Sequence, residues 1–327
     1  MSRCRSCFGS RFHLRAPDID RELLPEEKIK AILRFWSAAD TGFRLRRNLM
    51  LILVNGLMAY HAGKTTLARA ILLRAREAGD DFVGMKPRSA HNYWEHFDHS
   101  RAVQEMGLLV SQDALTLHAL SRDPPEVSLL NPYHQVVCPL DTLRLKEEEE
   151  HLLGDTEEGI LAERLTNASG QTTLYVNRRP HLFVAPPEFL DSLAGKADQT
   201  TPFHSSPVGE GLAPVEDVAR EVFESVSADR EHLVLESHSD AIWPLRLEPD
   251  EVDLIIAVGG GAAFLFDPPD VAKAQEVVGG RTMASLLRYV KPVQSIRLPQ
   301  LSSAERSDAA RLQEGYAPVL EVLWKSS

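Results

Sequence analysis

Two glycines, a lysine and two threonines lie where an apolar run ends, and residues of these types can hold a polyphosphate. They belong to the segment Gly56-Leu-Met-Ala-Tyr-His-Ala-Gly63-Lys64-Thr65-Thr66. Backbone N–H groups at a helix N-terminus bind anionic oxygens, a lysine neutralises the β- and γ-phosphates, and a threonine hydroxyl ligates Mg²⁺. We therefore predict ATP and Mg²⁺ as cofactors, bound through Gly56, His61, Ala62, Gly63, Lys64, Thr65 and Thr66.

The spacing of this loop differs from the G-x-x-x-x-G-K-[ST] phosphate-loop pattern, because its first glycine stands further back. A Gly-Lys-Thr tripeptide also occurs by chance on surface loops, so the neighbouring elements decide the interpretation. The β-type run Leu49 to Gly56 precedes the loop, and the helical pattern Thr65 to Ala78 follows it. Strand, loop and helix in this order are the context that the phosphate-binding motif requires.

Four segments stand in an order that resembles the dethiobiotin synthetase family, which are ATP-dependent carboxylases of the P-loop class. The segments are the loop ending in Gly63-Lys64-Thr65, then Val83-Gly-Met-Lys86-Pro-Arg-Ser89-Ala, then Ser111-Gln-Asp113-Ala-Leu-Thr-Leu with Leu130-Asn131-Pro132-Tyr133, and finally His232-Leu-Val-Leu-Glu236. The resemblance covers about residues 49–139 and 232–299. It implies an α/β P-loop NTPase fold, with a mainly parallel sheet flanked by helices, and a homodimer that completes the site.

The resemblance also implies roles for three residues outside the loop. In that family the lysine of the second segment reaches the reacting carbamate and the γ-phosphate, and Lys86 stands at its position. The aspartate of the third segment assists Mg²⁺, and the glutamate of the fourth is a metal ligand. The implied catalytic residues are Lys64 and Lys86, and the implied metal ligands are Thr65, Asp113 and Glu236.

Beyond Glu236 the chain departs from that family. Ser237-His238-Ser239-Asp240 stands in place of the glycine-rich turn that holds the carboxylated substrate. The family's acidic residue within the phosphate loop has no match here, and its adenine-reading asparagine motif is not recognisable after Gly261. We therefore expect a substrate pocket that differs from that of the family.

Two lysines, a hydroxyl and two carboxylates also form a coherent set without reference to a family. Together such groups spread charge over a transferring γ-phosphoryl group. The leading hypothesis is an ATP-dependent enzyme of ligase or kinase type that moves this group to a small anionic acceptor. Two alternatives stay open: a nucleotide-operated ATPase switch that acts on a partner protein, and a nucleotide-binding scaffold without turnover.

The elements that must position these residues alternate between strand and helix, which predicts an α/β fold with a parallel sheet. After the loop, the predicted strands are Asp81 to Met85, Ser128 to Asn131, His232 to Glu236, Asp253 to Val258 and Val293 to Leu298. The predicted helices are Glu26 to Trp36, Asp113 to Leu120, Val215 to Val226, Val271 to Val278 and Met283 to Val290.

Breaks in this alternation predict the division into domains. Residues 46–142 and 215–300 form the predicted P-loop nucleotide-binding domain. Residues 1–45 are an N-terminal extension, and residues 143–214 are an insertion that carries a hairpin at Thr172 to Val184. Residues 301–327 are a weakly patterned C-terminal tail.

Composition limits the classes of protein and partner. The 327 residues are 43% hydrophobic and 25% charged, as in ordinary globular proteins, and the net charge is −11. That charge argues against a nucleic-acid-binding surface and favours a small anionic molecule as the partner. Only three cysteines, and no apolar run near the roughly 20 residues of a membrane span, predict a cytoplasmic protein without membrane contact.

Four other features have a functional and a plain interpretation. The histidines of His91 to His99 could bind a metal, but their spacing favours a substrate-facing or surface loop. Cys4 and Cys7 have zinc-knuckle spacing without a second pair, which favours an unmetallated terminus. Gly259 to Gly261 is either a turn or a nucleotide contact, and Glu147 to Glu150 is expected to be a solvated face.

Overall fold

The computed structural model describes residues 50–147, 159–202 and 213–324. Its strands are β1 Met50–Gly56, β2 Phe82–Met85, β3 Arg88–Asn92, β4 Tyr133–Val137, β5 Ile160–Thr166, β6 Thr172–Val176, β7 Gln199–Pro202, β8 His232–Glu236, β9 Leu254–Gly259, β10 Ala262–Phe266 and β11 Gln294–Arg297. Its helices are α1 Lys64–Ala78, α2 Phe97–Met106, α3 Gln112–Leu120, α4 Val127–Leu130, α5 Thr142–Glu147, α6 Pro187–Ala194, α7 Ala213–Ser227, α8 Pro268–Val278, α9 Met283–Leu286, α10 Ser303–Ser307 and α11 Ala309–Trp324.

The first sheet has six strands in the order β2-β8-β1-β9-β10-β11. β1 runs parallel to β8 and β9, and β2 runs parallel to β8. β10 and β11 run antiparallel, so the predicted parallel sheet is corrected to a mixed one. The cause is the Gly260-Gly261 turn after β9, where φ angles of +58° and +76° allow a tight hairpin. A connection this short can only join antiparallel strands.

The second sheet is also mixed, with five strands in the order β3-β4-β5-β6-β7. β3 pairs parallel with β4, β5 pairs antiparallel with β4 and β6, and β7 pairs parallel with β6. The chain passes from the first sheet to the second through Lys86 and Pro87, between β2 and β3. β3 and β4 come from the range predicted as the nucleotide-binding domain, and β5 to β7 from the predicted insertion. The domain boundaries stay a prediction.

The side chains of β1 alternate between the two faces of the sheet, so this strand packs against helices on both faces. Its seven residues are all buried, as expected for a central strand covered on both faces. Leu51 and Leu53 pack on one side with Val222 and Phe223 of α7. α1 lies against β1 and β2 and buries a stripe that includes Leu67 and Ile71.

Glycines set both ends of α1. Gly63 precedes the helix with φ +94°, and Gly79 follows it with φ +83°. The N–H of Gly79 bonds the carbonyls of Ala75 and Arg76, which closes the last turn in the left-handed manner that glycine favours. The predicted helix Thr65 to Ala78 is confirmed to within one residue.

The segment Ser128 to Asn131, predicted as a strand, is instead helical. Residues Val127–Leu130 form α4, and the Asn131 N–H bonds the Val127 carbonyl at 3.0 Å. A run this short carries no periodicity that separates a buried strand from a helical turn. The predicted hairpin Thr172 to Val184 is also displaced, because β6 pairs back with β5 across a turn around Asn167. The Asn167 carboxamide oxygen accepts from the Ser169 and Gln171 N–H groups within that turn.

The C-terminal tail, for which the weak pattern predicted no element, contains the helices α10 and α11. α11 buries residues with helical spacing, namely Leu312, Tyr316, Val319, Leu320 and Leu323. Pro318 lies inside this helix, and Gly315 packs against Leu301 and Pro299. These two residue types obscured the pattern, since both lower helix propensity.

The remaining predicted elements keep their identity with shifted ends. Strands β2, β8, β9 and β11 and helices α3 and α7 lie within two residues of their predicted bounds. α8 begins at Pro268, and α9 is limited to Met283–Leu286. The predicted helix Glu26 to Trp36, the pair Cys4 and Cys7, and most of the acidic run lie outside the described residues. Within the described ranges, no helix has the length and apolar character to span a membrane.

Candidate functional site

The carboxyl ends of β1, β8 and β2 meet at one edge of the first sheet. Val54 of β1 pairs with Glu236 of β8, and Leu235 pairs with Met85 at the end of β2. In an open sheet of parallel strands, ligands bind outside this edge. Lys86 follows β2 directly, so two charged residues far apart in sequence reach the same edge.

The loop between β1 and α1 is held in a tight path at both of its glycines. A Cβ on Gly56 would lie 2.8 Å from the Met58 carbonyl oxygen and 3.0 Å from the Lys64 ammonium nitrogen. Gly63 has φ +94°, and His61 has φ +56°, which is uncommon for a residue with a side chain. Ala62 is buried between them, whereas His61 is exposed. The loop therefore folds back over the start of α1.

The N-terminus of α1 carries unused backbone donors. Within the described part of the chain, Gly63 gives the helix no side-chain cap and the first turn holds no acidic residue. The first N–H groups of a helix have no partner inside the helix, and the helix dipole favours negative charge there. Thr65 and Thr66 lie in this first turn, both half-buried.

Five side chains converge at this end of α1: Lys64, Thr65, Lys86, Asp113 and Glu236. We call them the lysine–carboxylate cluster. The Lys86 ammonium donates to Asp113 and, over 2.7 Å, to Glu236 Oε1. The Thr65 hydroxyl donates to the same Glu236 oxygen at 2.9 Å. The structure thus brings together every residue predicted as catalytic or metal-ligating.

Lys64 enters the cluster from the other side. The residue is 7% exposed, and its ammonium donates to the Ser239 carbonyl oxygen at 2.6 Å. Burial lowers the pKa of Lys64, and the Lys86 ammonium lowers it further. A desolvated cation so placed has much to gain from an anion at the α1 N-terminus.

The charges inside the cluster balance one another. Burial by itself lowers the pKa of Lys86, but the carboxylates of Glu236 and Asp113 outweigh it and raise the pKa above its usual value. Burial raises the pKa of Asp113, but Lys86 outweighs it and lowers the pKa. Burial raises the pKa of Glu236, only partly opposed by Lys86. Lys86 is therefore the cation that offsets the cost of burying the Glu236 carboxylate.

Asn131 fixes the backbone around the cluster. Its carboxamide nitrogen donates to the Lys86 carbonyl at 2.8 Å and to Ser89 Oγ at 2.8 Å. Its carboxamide oxygen accepts from the Ser111 N–H at 3.0 Å. Ser111 caps α3, on which Asp113 stands in the first turn. One fully buried amide thus sets the positions of both Lys86 and the helix that carries Asp113.

A second polar cluster lies along β3 and β4 of the second sheet. Ser89 Oγ is 2.6 Å from His134 Nδ1, and His134 Nε2 is 2.6 Å from His91 Nδ1. We call these three residues the histidine–serine chain. Burial lowers the pKa of His134 far below its usual value and that of His91 to about 3. Both imidazoles are therefore neutral at pH 7.

The three histidines predicted as a possible metal site lie near one another, with His91 in β3, His96 before α2 and His99 within α2. His91 and His99 have ring centroids 5.0 Å apart, and His96 lies 6.3 Å from His91. His99 Nε2 donates to the Val110 carbonyl at 2.8 Å. Among the described residues, no group of three or more His, Cys, Asp or Glu side chains is arranged to hold a metal ion. The predicted substrate-facing or surface loop is limited to residues 93–96, since His91 lies in β3 and His99 in α2, and both are buried.

Sequence reasoning missed three contributors to the site. Asn131 lies in the segment Leu130 to Tyr133 but has no predicted role, Ser239 acts through its backbone, and Tyr316 comes from the predicted tail. The Tyr316 hydroxyl would lie 3.7 Å from a Cβ on Gly63. The usable signal is an asparagine next to apolar residues, because a polar side chain that becomes buried must find hydrogen-bond partners.

Fold and site define an α/β protein with two mixed sheets and a buried cluster of two lysines and two carboxylates at a helix N-terminus. Comparison with models of protein families, with curated proteins and with solved structures found no match.

Proposed function

We propose that the chain binds MgATP at the loop before α1 and transfers the γ-phosphoryl group to a small anionic acceptor. The proposal includes a P-loop fold similar to that of dethiobiotin synthetase. One observation carries it: Lys86 contacts both Glu236 and Asp113, while Glu236 also accepts from Thr65 in the first turn of α1. Three separate segments thereby face the helix end where a polyphosphate would bind.

The donor set suits Mg²⁺. Glu236 Oε2 is fully buried and has no hydrogen-bond partner among the described residues, which leaves it able to accept from a water or to ligate a cation. Thr65, Asp113 and Glu236 would hold the ion. Mg²⁺ favours one or two carboxylates together with phosphate oxygens and water over a cage made of protein alone. When bound, it would neutralise charge between the β- and γ-phosphate oxygens.

The protein's own residues would then act by position and charge. The N–H groups at the start of α1 would bind phosphate oxygens. Lys64 would give up its hydrogen bond to the Ser239 carbonyl and donate to these oxygens instead. Lys86 stabilises negative charge at the far end of the transferred group, because its neighbours keep it protonated. Asn131 holds Lys86 in place through the Lys86 carbonyl.

Isothermal calorimetry with MgATP and a non-hydrolysable analogue tests binding. We expect Lys64→Ala to weaken binding by about tenfold or more, because a charge-assisted contact to phosphate is lost. Lys273→Ala, which removes an exposed lysine from α8, is the matched control and should leave affinity unchanged. Absence of binding to any Mg-nucleotide by the unchanged chain would overturn the proposal.

Phosphate release separates transfer from mere binding. We expect release to fall by about a hundredfold or more in Lys86→Ala, with a much smaller change in nucleotide affinity, because Lys86 acts on developing charge. A protein that hydrolyses slowly and changes its oligomeric state with nucleotide would instead be the switch. Tight binding without detectable release would leave only the scaffold.

A further inference from the structure

An open groove lies on the second-sheet side of the molecule, beyond the end of β3. Tyr93, Trp94 and Phe97 form one wall, and the segment Phe183 to Pro186 faces them across a cavity of about 530 Å³. Such a volume is in the range that holds a small organic molecule. The five residues of β3 rise by roughly 16 Å between Lys86 and this groove, so the groove is a separate site.

The groove concentrates exposed apolar surface. Trp94 is 45% exposed, Phe97 39% and Val184 40%, and these are three of the eight large hydrophobic residues exposed in the described chain. The Trp94 and Phe97 rings are parallel to within 1°, with centroids 5.3 Å apart. Surface hydrophobic residues normally stand singly, so a cluster of this kind indicates a binding surface.

The aromatic wall is held in place before any ligand arrives. The Trp94 indole N–H donates to the Val184 carbonyl at 2.6 Å, which ties the two sides of the groove together. The Asn92 carboxamide oxygen accepts from the N–H groups of Trp94 and Glu95. Beneath Trp94, the buried Tyr93 ring meets Phe189 edge to face at 5.0 Å. A rigid wall of this kind loses little entropy when a ligand binds.

The charged residues that line the groove bear on which ligand it can bind. Arg101 and Arg144 line the groove together with Asp141. Arg144 is occupied, because it lies 3.4 Å from Asp141 and donates to the His181 carbonyl. Among the described residues, Arg101 has one acidic partner, Glu105 at 3.9 Å, in an exposed pair that contributes little. The described residues that line the groove thus carry two guanidiniums and one carboxylate, while Glu105 and Glu188 lie near the groove but outside this lining.

We propose that this groove binds a small monocarboxylic acid with an aryl group, whose ring packs on Trp94 and Phe97 while its carboxylate pairs with Arg101. The proposal does not depend on nucleotide binding. A planar guanidinium binds a carboxylate through two parallel hydrogen bonds, and an aromatic ring stacks on the wall with an offset geometry.

Calorimetry on the full chain tests this with 4-phenylbutyrate and its neutral amide as probes, at pH 7. We expect saturable binding of one acid per chain, about tenfold tighter than the amide. No saturable heat for the acid up to about 10 mM would overturn the proposal. Equal affinity for the acid and the amide would do the same, because Arg101 would then have no role.

Variants locate the site. Arg101→Gln should weaken binding of the acid by about tenfold and leave the affinity for the amide unchanged. Arg74→Gln is the matched control, since Arg74 is also an exposed helical arginine that pairs with a glutamate one turn away. Phe97→Ala should weaken both probes, and Trp94→Phe should abolish any quenching of tryptophan fluorescence by the acid. An effect of Arg74→Gln equal to that of Arg101→Gln, or quenching that persists in Trp94→Phe, would contradict the assignment.

Discussion

In the lysine–carboxylate cluster of the first sheet the buried side chains are charged and Lys86 is paired with carboxylates, whereas in the histidine–serine chain of the second sheet they are neutral and joined in a row. The lysine–carboxylate cluster contains Lys86 at 7% exposure and Glu236 at 0%. The histidine–serine chain contains His134 at 0% and His91 at 6%. Burial is therefore nearly the same, and it does not explain the difference between charged and neutral groups.

The neighbours explain it. Burial lowers the pKa of Lys86 and of His134 alike, but the carboxylates of Glu236 and Asp113 outweigh it at Lys86. At His134 the neighbours His91, Arg164 and Lys86 lower the pKa further. A buried charge persists only where an opposite charge compensates its lost hydration. The difference teaches that the first cluster keeps its buried charges through pairing, while the second maintains a neutral hydrogen-bonded row. Asn131 joins the two, since it contacts both the Lys86 carbonyl and Ser89.

The largest expected effect is on the charged side. Lys86→Met leaves the Glu236 carboxylate buried without its cation, and we expect a loss of about 3 kcal/mol in the free energy of unfolding at pH 7. Protonation of the carboxylates should reduce that loss at pH 5. Urea denaturation followed by circular dichroism measures it, with Lys273→Met as the exposed control. A loss no larger than the control's would show that the pairing is not needed.

The second largest expected effect concerns Asn131, which links the two clusters. Asn131→Ala leaves Ser111 N–H, Ser89 Oγ and the Lys86 carbonyl without this partner, and we expect a loss of about 2 kcal/mol. Combining it with Lys86→Met in a double-mutant cycle measures the coupling. Additivity within about 0.5 kcal/mol would mean that Asn131 does not connect the two regions.

The histidine–serine chain should make the stability of the protein depend on pH. The pKa of His91 is lowered to about 3, so the unfolded chain binds a proton between pH 6.5 and 3 that the folded chain excludes. Stability should therefore fall as pH falls through this window, and rise again as pH rises.

In His91→Gln this group no longer titrates. The slope of unfolding free energy against pH between pH 6 and pH 4 should decrease by about 1 kcal/mol per pH unit. Urea denaturation at a series of pH values gives the slope, and an unchanged denaturant dependence shows that the variant unfolds in the same way. A slope equal to that of the unchanged chain would mean that His91 is charged in the folded protein.

The smallest expected effect concerns the Thr65 hydroxyl, which lies in the first turn of α1 and donates to Glu236. Thr65→Val removes the donor to Glu236 and should cost about 1 kcal/mol of stability, while Thr65→Ser should cost less because the hydroxyl remains. If the valine and serine variants were equally stable, the contact between Thr65 and Glu236 would contribute nothing.

The β1–loop–α1 unit could be predicted from sequence because its signals are local. An apolar run, a loop closed by Gly63 and an amphipathic helix follow one another within 30 residues, and each is fixed by neighbours in the chain. The same locality explains why β8 and β9 were predicted with nearly correct ends. It also explains why the short run at α4 was wrongly predicted as a strand, and why no element was predicted at α11, a helix that contains Pro318.

The sequence by itself determined the strand, loop and helix around Lys64, and it contained the residue types of the lysine–carboxylate cluster. Only the tertiary structure decided that Lys86 meets a glutamate 150 positions away, and that Asn131 braces both. It also decided that β3 leaves the first sheet to begin a second one, and that Tyr316 reaches Gly63. The physical reason is that pairing between strands and burial of charge depend on residues distant in the chain, whose approach no local pattern encodes.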